Sequence, residues 1–294
     1  MTTAISASLV KELRERTGAG MMECKTALVE NNGNIDQAAE ALRKKGQAKA
    51  DKKSGRVAAE GVILIRISSD QKHAIILEAN CETDFVSRDA NFLNFANQVA
   101  DLALAKNIQN LDSLLTTSLG SETVDETRKH LVAKIGENIQ VRRFATLSSP
   151  NHIVGGYVHG GRIGTLVELE GGDQNLAKDI SMHIVANNPL VVSPSQVSQD
   201  LINKEKEIFS AQAATSGKPA NIIEKMVEGR IKKYLDEVSL EGQSYLKDPD
   251  STVGKVLSSH KAKVHHFTRF AVGEGIEKKT ENFAEEVMAQ VRGS

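Results

Sequence analysis

The spacing of apolar residues separates a helical beginning of the chain from a mixed remainder. Before about residue 55, apolar side chains recur every three or four positions in three short runs, interrupted at Thr17–Gly20 and at Asn31–Gly33. This pattern predicts three helices, the third of them capped by Asn34. We expect a domain over residues 1–55. Its small core favours docking on a partner through the turns. The pattern alone fits an ordinary three-helix domain without a binding role equally well.

Beyond Gly61 the apolar period falls to two, which is typical of half-buried strands. The pattern predicts a β-hairpin, then helices, then a returning strand. These predicted elements are strands at 62–67 and 73–79, helices at 89–105 and 121–135, and a strand at 138–147. We assign residues 56–147 to this second domain.

The same order of hairpin, helix and strand recurs in the second half of the chain. Its predicted elements are strands at 154–158 and 162–169, a helix at 174–186 and a final strand at 264–272. We interpret the two units as a structural repeat within an α+β fold, with the later domain over 148–272. Further apolar runs at 254–257 and 283–288 predict a closing helix, and we assign 273–294 to a C-terminal helical module.

A long insertion precedes the last strand of the second unit. Ser193-Pro194 is a helix-start signal, and a break at 216–219 separates two apolar stripes. Two helices joined by so short a turn must be antiparallel neighbours. We therefore predict a helical hairpin over residues of about 190–238.

Composition excludes several classes of protein. Lys plus Arg number 37 against 38 Asp plus Glu, which argues against a general nucleic-acid binder. The basic residues between 43 and 56 lack interleaved aromatics, so a solvated helix end and linker is favoured over a nucleic-acid patch. Cys24 and Cys81 lack metal-site spacing and fit a reducing cytosol. With no signal-peptide pattern and no long apolar stretch, we expect a cytoplasmic protein that makes no membrane contact.

No catalytic constellation is evident in the sequence. It contains neither a phosphate-binding GxxxxGK[ST] motif nor a metal-binding HExxH motif. His152, His159 and His183 fall on a strand edge, a turn and a helix, so we expect none of them to be a ligand. His265 and His266 are adjacent on a strand and must point to opposite faces. We expect no enzyme activity, no cofactor and no metal.

The stretch Cys81–Arg88 links a strongly apolar strand to an apolar-periodic helix. Thr83 is suited to cap that helix, and Asp84 would be favoured at the same end by the helix dipole. In this interpretation Phe85 turns into the core. Its position between charged residues at the tip of a turn favours the opposite interpretation, in which the ring faces outward.

Three motifs resemble bacterial translation elongation factor Ts, and together with the predicted architecture the likeness covers nearly the whole chain. They are Thr83-Asp84-Phe85-Val86, the run from Leu13-Arg14 through Thr17-Gly18-Ala19-Gly20-Met21-Met22 to Cys24-Lys25, and the turn His159-Gly160-Gly161-Arg162-Ile163-Gly164. Thr26 departs from the family, which usually has a second basic residue there. By its residues alone, the third motif also fits a plain glycine hairpin turn.

The resemblance implies a guanine nucleotide exchange factor that binds elongation factor Tu in its GDP form. The first domain would be a ubiquitin-associated-like (UBA-like) module, and the insertion an antiparallel coiled coil. Thr83, Asp84, Phe85 and Val86 would act near the magnesium and phosphates of the GTPase. Further contacts would come from Arg14, Thr17, Gly18, Ala19, Gly20, Met21, His159, Gly160 and Arg162. The resemblance implies no direct nucleic-acid, membrane or small-molecule partner.

Two other functions stay open on the sequence. The first is a non-enzymatic adaptor or scaffold, in which the three-helix module binds a helix or a ubiquitin-like partner. The second is an enzyme whose site is divided between the two repeated units.

Overall fold

The structure, a computed structural model of the chain, describes residues 5–215 and 218–277. It has the predicted α+β class. The chain divides into two compact units. The first comprises the described parts of Met1–Val62, Glu78–Phe144 and Val272–Ser294, and the second comprises Ile63–Leu77 and Ala145–Ala271. The predicted domain limits stay predictions, and most of the expected C-terminal module, 278–294, lies outside the described residues.

Three helices open the chain, as the 3.6-residue period predicts. They are α1 (Ala7–Thr17), α2 (Met21–Glu30) and α3 (Ile35–Lys53). Asn34 caps α3 as predicted, because its side-chain oxygen accepts the N–H groups of Asp36 and Gln37. The three helices share a small buried core formed by Val10, Leu13, Cys24, Ala27, Leu28 and Ala38.

A three-stranded sheet and its helices follow. The elements are β1 (Glu60–Ile67), β2 (His73–Cys81), α4 (Ala90–Ala105), α5 (Leu111–Thr116), β3 (Ser118–Leu119), β4 (Glu122–Thr123), α6 (Val124–Ile135) and β5 (Gln140–Ser148). The sheet has the strand order β1-β2-β5, while β3 and β4 pair with each other. The period-2 prediction therefore found the sheet. It missed α5 and the small β3–β4 hairpin, and it began the helix at Ser121, three residues before α6 begins.

The second half repeats the order of hairpin, helix and strand. Its elements are β6 (Ile153–His159), β7 (Ile163–Glu170), α7 (Gln174–Asn187), α8 (Gln199–Ala214), α9 (Ala220–Val238), β8 (Ser244–Tyr245), β9 (Asp248–Thr252), α10 (Val253–Ser259) and β10 (Lys263–Ala271). The antiparallel sheet has the order β10-β7-β6. Its apolar face and α7 contribute to one core, which includes Val167, Leu169, Ile180 and Ile184.

The insertion begins differently from the prediction. Ser193-Pro194 starts only a 3-10 turn, Pro194–Gln196, and α8 begins at Gln199 with the Ser198 side chain as its cap. The return helix α9 follows Pro219 and packs against α8, as expected for a helical hairpin. Across residues 5–215 and 218–277, no helix is long and apolar enough to cross a membrane.

Candidate partner-binding site

The loop after β2 presents an aromatic ring to solvent. Phe85 is 83% exposed, whereas its neighbour Val86 is 8% exposed and packs inward. The interpretation with Phe85 in the core is therefore wrong. The cap prediction for Thr83 is also wrong, because α4 begins later and the Asp89 side chain accepts the N–H groups at its first turn.

One carboxylate in the turn between α6 and β5 holds this loop. Oε2 of Glu137 accepts hydrogen bonds from the backbone N–H of Glu82 (3.1 Å) and of Thr83 (3.0 Å). Oε1 of Glu137 accepts the hydroxyl of Thr83 at 2.7 Å. The same hydroxyl oxygen accepts the N–H of Val86 at 3.4 Å, so Thr83 links the tip of the loop to the Glu137 carboxylate.

A second carboxylate makes the attachment reciprocal. Oε1 of Glu82, in the loop, accepts the N–H of Asn138 at 2.6 Å. Asn138 is buried, and its side-chain amide donates to the carbonyl oxygens of Ser54 (3.2 Å) and Arg56 (2.7 Å). The loop and the turn each donate N–H groups to the other's carboxylate. The backbone of the loop that carries Phe85 is therefore held by hydrogen bonds from both sides.

The loop's own charged residues are surface groups. Asp84 pairs with Arg88 at 3.1 Å, and the two side chains are 50% and 80% exposed. The carbonyl oxygen of Asp84 accepts the hydroxyl of Ser87 at 2.7 Å. An exposed pair of this kind contributes little to stability, about 0.2–1 kcal/mol. The carboxylate of Asp84 therefore lies at the surface.

Behind the loop, β2 carries a buried charge that is fully paired. Glu78 is 0% exposed and accepts hydrogen bonds from Arg142 (3.0 Å), Arg143 (2.6 Å) and the N–H of Gly273 (2.8 Å). Burial by itself would raise the pKa of Glu78, but these hydrogen bonds outweigh it and hold the pKa below its ordinary value. Glu78 thus joins β2, β5 and the segment after β10.

The turn between α1 and α2 exposes two methionines. Gly18 ends α1 in the left-handed conformation (φ 68°), which suits glycine, and its N–H donates to the carbonyl of Arg14 at 2.8 Å. The hydroxyl of Thr17 donates to the carbonyl of Leu13 at 2.7 Å. Directly afterwards, Met21 and Met22 are 58% and 70% exposed. Flexible, exposed methionines are typical of protein-binding surfaces.

Four of the six candidate residues at or near the turn between α1 and α2 line a groove of about 1070 Å³ within the first unit. Residues of α2, α3, α6 and this turn form the walls of the groove, which carry both acidic and basic side chains. The candidates that line it are Thr17, Gly18, Ala19 and Gly20; Arg14 and Met21 do not line it. Arg14 is exposed on α1.

The turn between β6 and β7 is a tight hairpin. Gly160 and Gly161 both have positive φ, 55° and 70°, and the N–H of Arg162 donates to the carbonyl of His159 at 2.9 Å. The ladder pairs His159 with Ile163, so the loop has three residues, and glycine adopts the two positive φ angles without strain. His159, Gly160 and Arg162 are exposed. The geometry therefore fits the hairpin-turn interpretation and leaves these side chains accessible.

The family model described as Elongation factor TS matches residues 82–274, from the Phe85 loop to the segment after β10. Elongation factor Ts of Thioalkalivibrio sulfidiphilus is 59% identical over 291 residues, covering 99% of each chain. That of Methylococcus capsulatus is 59% identical over 292 residues, covering 99% of this chain and 100% of the relative. That of Legionella pneumophila strain Lens is 57% identical, covering 99% of each.

The chain belongs to the elongation factor Ts family. Membership implies the guanine nucleotide exchange role of elongation factor Ts towards elongation factor Tu in translation elongation. The predicted family is thus confirmed. The roles of the individual candidate residues stay predictions.

Glu137 is the residue of the candidate site that sequence reasoning missed. It lies 54 positions from Thr83, and a lone glutamate after a helix-ending glycine carries no signal of a distant loop.

His183 is held inside the second unit by hydrogen bonds on both ring nitrogens. It is buried, its Nδ1 accepts the N–H of Leu246 (3.1 Å), and its Nε2–H donates to Gln243 (2.9 Å). Burial lowers the pKa of His183, and the hydrogen bond with Gln243 offsets part of that effect.

Proposed function

We propose that this chain accelerates GDP release by inserting Phe85 against the elements of elongation factor Tu that hold magnesium and phosphate. The observation that carries the proposal is the exposed ring on a braced loop. A GTPase holds its nucleotide through backbone N–H groups, a lysine and a magnesium ion around the phosphates. Displacing those elements leaves phosphate charge less compensated, so the nucleotide dissociates faster.

The energy available from Phe85 is limited. Full burial of a phenylalanine contributes about 2–3 kcal/mol, or roughly two decades in an equilibrium constant. Tight nucleotide binding requires more than this. Phe85 therefore acts together with other contact surfaces that supply docking energy.

Those further surfaces are the candidates named from the resemblance. The exposed Met21, beside the turn that contains Gly18, gives the UBA-like first domain an apolar contact for the GTPase domain. The exposed turn of His159, Gly160 and Arg162 supplies a contact from the second half of the chain. The helical hairpin α8–α9 is a third surface that can add docking energy.

Thermodynamic linkage limits what the protein can do to nucleotide binding. If this protein weakens GDP binding by some factor, GDP must weaken the binding of this protein by the same factor. Exchange is thus accelerated in both directions, and an excess of GTP over GDP decides the outcome. The chain needs no nucleotide site or catalytic group of its own.

The test is stopped-flow release of a fluorescent GDP from elongation factor Tu, with complex formation measured separately. Phe85→Ala is expected to slow accelerated release by roughly 30- to 100-fold, and to weaken complex formation by less. Its folding stability should change by under about 0.5 kcal/mol, since the ring is already in solvent. Equal losses in release and binding would reduce Phe85 to a docking contact.

Leu246→Ala is the matched control, because Leu246 is also a large exposed side chain, 47% accessible, on the β8–β9 turn. It should leave release unchanged.

Asp84→Asn, in the same assay over a range of magnesium concentrations, tests whether the charge of Asp84 acts on the ion. Normal exchange at every magnesium level would eliminate that effect. An adaptor would accelerate no release at all in any variant.

A further inference from the structure

Four titratable side chains meet on one face of the second sheet. His152 and His265 stack with ring centroids 4.5 Å apart and planes parallel to within 1°. Glu168 and Glu170, on the strand between them, each contact one ring. One ligand atom from each of His152, Glu170 and His265 lies within 4.8 Å of the other two. The exchange mechanism uses none of these groups.

The pairing of β6 with β7 places His152. Ile153 lies opposite Leu169, so in antiparallel register the preceding residue, His152, lies opposite Glu170. Leu169 is buried, and its neighbours along β7 therefore point to the other face. His152 and Glu170 thus meet on the face of the sheet away from the core.

A β-bulge in β10 places His265. Val264 pairs with Leu169 and His266 pairs with Glu168, so His265 is an extra residue that faces no partner in the ladder. A bulge redirects a side chain and breaks the simple alternation of a strand. His265 thereby reaches Glu170, which the sequence pattern alone did not indicate.

One short contact joins each ring to a glutamate. Nδ1 of His152 lies 2.8 Å from Oε1 of Glu168, and Nε2 of His265 lies 2.6 Å from Oε2 of Glu170. A carboxylate oxygen accepts hydrogen bonds, so the ring nitrogen that faces each glutamate is placed to donate to it.

We propose that His152, Glu170 and His265 bind one divalent transition-metal ion of the zinc class. Two imidazoles and one carboxylate are a ligand set that suits Zn²⁺, with water in a fourth position. Glu168 orients the His152 ring through its hydrogen bond, as carboxylates commonly do for metal-bound histidines. Glu168 is itself held by the hydroxyl of Ser149 at 2.6 Å.

Side-chain rotation is needed to convert the observed cluster into such a site, because imidazole lone pairs lie in the ring plane and the two parallel rings must unstack to direct them at one ion. Zn–N and Zn–O distances of about 2.0–2.2 Å place ligand atoms about 3.3 Å apart in a tetrahedron. The 2.6 Å contact between His265 and Glu170 must open, and the other separations between ligand atoms, all within 4.8 Å, must adjust to the same distance. The side chains of Glu170 and His265 are 53% and 32% exposed, so rotation about their own bonds suffices. An ion entering between them displaces the proton of His265 Nε2 to solvent.

A bound ion would link all three strands of the sheet. The three ligands come from the residue before β6, from the last residue of β7, and from the bulge of β10. A ligand that binds only the folded protein raises its apparent stability in proportion to the logarithm of its concentration over Kd. The ion would therefore stabilise the second unit and leave the exposed Phe85 loop unaltered.

The experiment is titration of the full-length, chelator-treated protein with Zn²⁺, followed by competition with a chromophoric chelator and by thermal melting. The expected result is one ion per chain and a melting temperature that rises with Zn²⁺. Co²⁺ in place of Zn²⁺ should give the intense visible absorption of a four-coordinate ion. His152→Gln, His265→Gln and Glu170→Gln should each weaken binding by at least tenfold.

His266→Gln is the matched control, because His266 is an exposed neighbour that contacts Thr268 at 3.2 Å and lies outside the cluster. It should bind Zn²⁺ like the unaltered chain. Melting without metal verifies that each variant is folded. Absence of stoichiometric binding, or binding that survives loss of both His152 and His265, would overturn the proposal and leave the cluster as a set of His–Glu hydrogen bonds only.

Discussion

Removal of the Glu137 carboxylate should loosen the Phe85 loop without unfolding the protein. Glu137→Ala deletes the acceptor of three hydrogen bonds, two from backbone N–H groups and one from the Thr83 hydroxyl. The reciprocal bond from Asn138 to Glu82 remains. The loop should then open more often, while the sheet and α4 stay folded.

The magnitude follows from the number and kind of these bonds. Hydrogen bonds to a charged group contribute about 1.5–3 kcal/mol each, and water can replace part of that at a half-buried site. A loss of about 2–4 kcal/mol in the local opening free energy is therefore expected, well below the sum of three full contributions. That corresponds to a rise of roughly 30- to 700-fold in the open population.

Amide hydrogen exchange at Glu82 and Thr83 measures this opening directly. Both amides donate to Glu137, so their protection should fall by that factor in Glu137→Ala and by less in Glu137→Gln, which keeps an acceptor oxygen. Glu12→Ala, an exposed change on α1, is the control. Accelerated GDP release should fall in parallel, although Phe85 is intact.

A double-mutant cycle sharpens the interpretation. If Glu137 acts only by positioning Phe85, adding Glu137→Ala to Phe85→Ala should slow GDP release little further. Unchanged protection at Thr83 in Glu137→Ala would refute the claim that this carboxylate holds the loop. Additive losses in the cycle would refute the claim that it acts through Phe85.

Two further predictions concern buried titratable groups. Glu78→Gln leaves Arg142 and Arg143 without their buried counter-charge, so urea denaturation at pH 7 should show a loss of about 2–4 kcal/mol. Because the folded pKa of Glu78 is lowered, its contribution is present above the unfolded pKa near 4.5 and is lost as pH falls below it, so the gap between variant and unaltered chain should narrow in acid. His183 also has a lowered folded pKa, so stability should fall as pH drops below the unfolded value of 6.5, and His183→Gln should remove that component. A gap for Glu78→Gln that stays constant with pH, or a pH dependence that survives in His183→Gln, would contradict these assignments.

Local sequence patterns predicted the helices and strands well because interactions between residues near one another in sequence determine them. Alternation marked both hairpins, since one face of each strand must be buried while the other meets solvent. The caps were also readable: Asp89 stands directly before the apolar stripe of α4, and Thr123 and Glu126 form a capping box at the start of α6. Thr83 lies seven positions before the first residue of α4, which is too far to cap that helix.

The braces could not be predicted, because they join residues that are distant along the chain. Thr83 and Glu137 are 54 positions apart, and nothing in either local pattern specifies the other. The contact of His152 with His265 depends on a bulge, and one extra residue in a strand reverses every later side chain. Local periodicity carries no information about such tertiary contacts.

The exposed ring and its hidden brace have a common physical logic. A flexible loop would lose conformational freedom when it met a partner, and that loss would oppose the burial of Phe85. Here Glu137 and Asn138 already restrict the backbone of the loop after β2. The ordering is done during folding, so more of the free energy of burying the ring remains available to displace elements of another protein. We therefore expect an exposed aromatic side chain to contribute most to binding where the backbone beneath it is most firmly hydrogen-bonded.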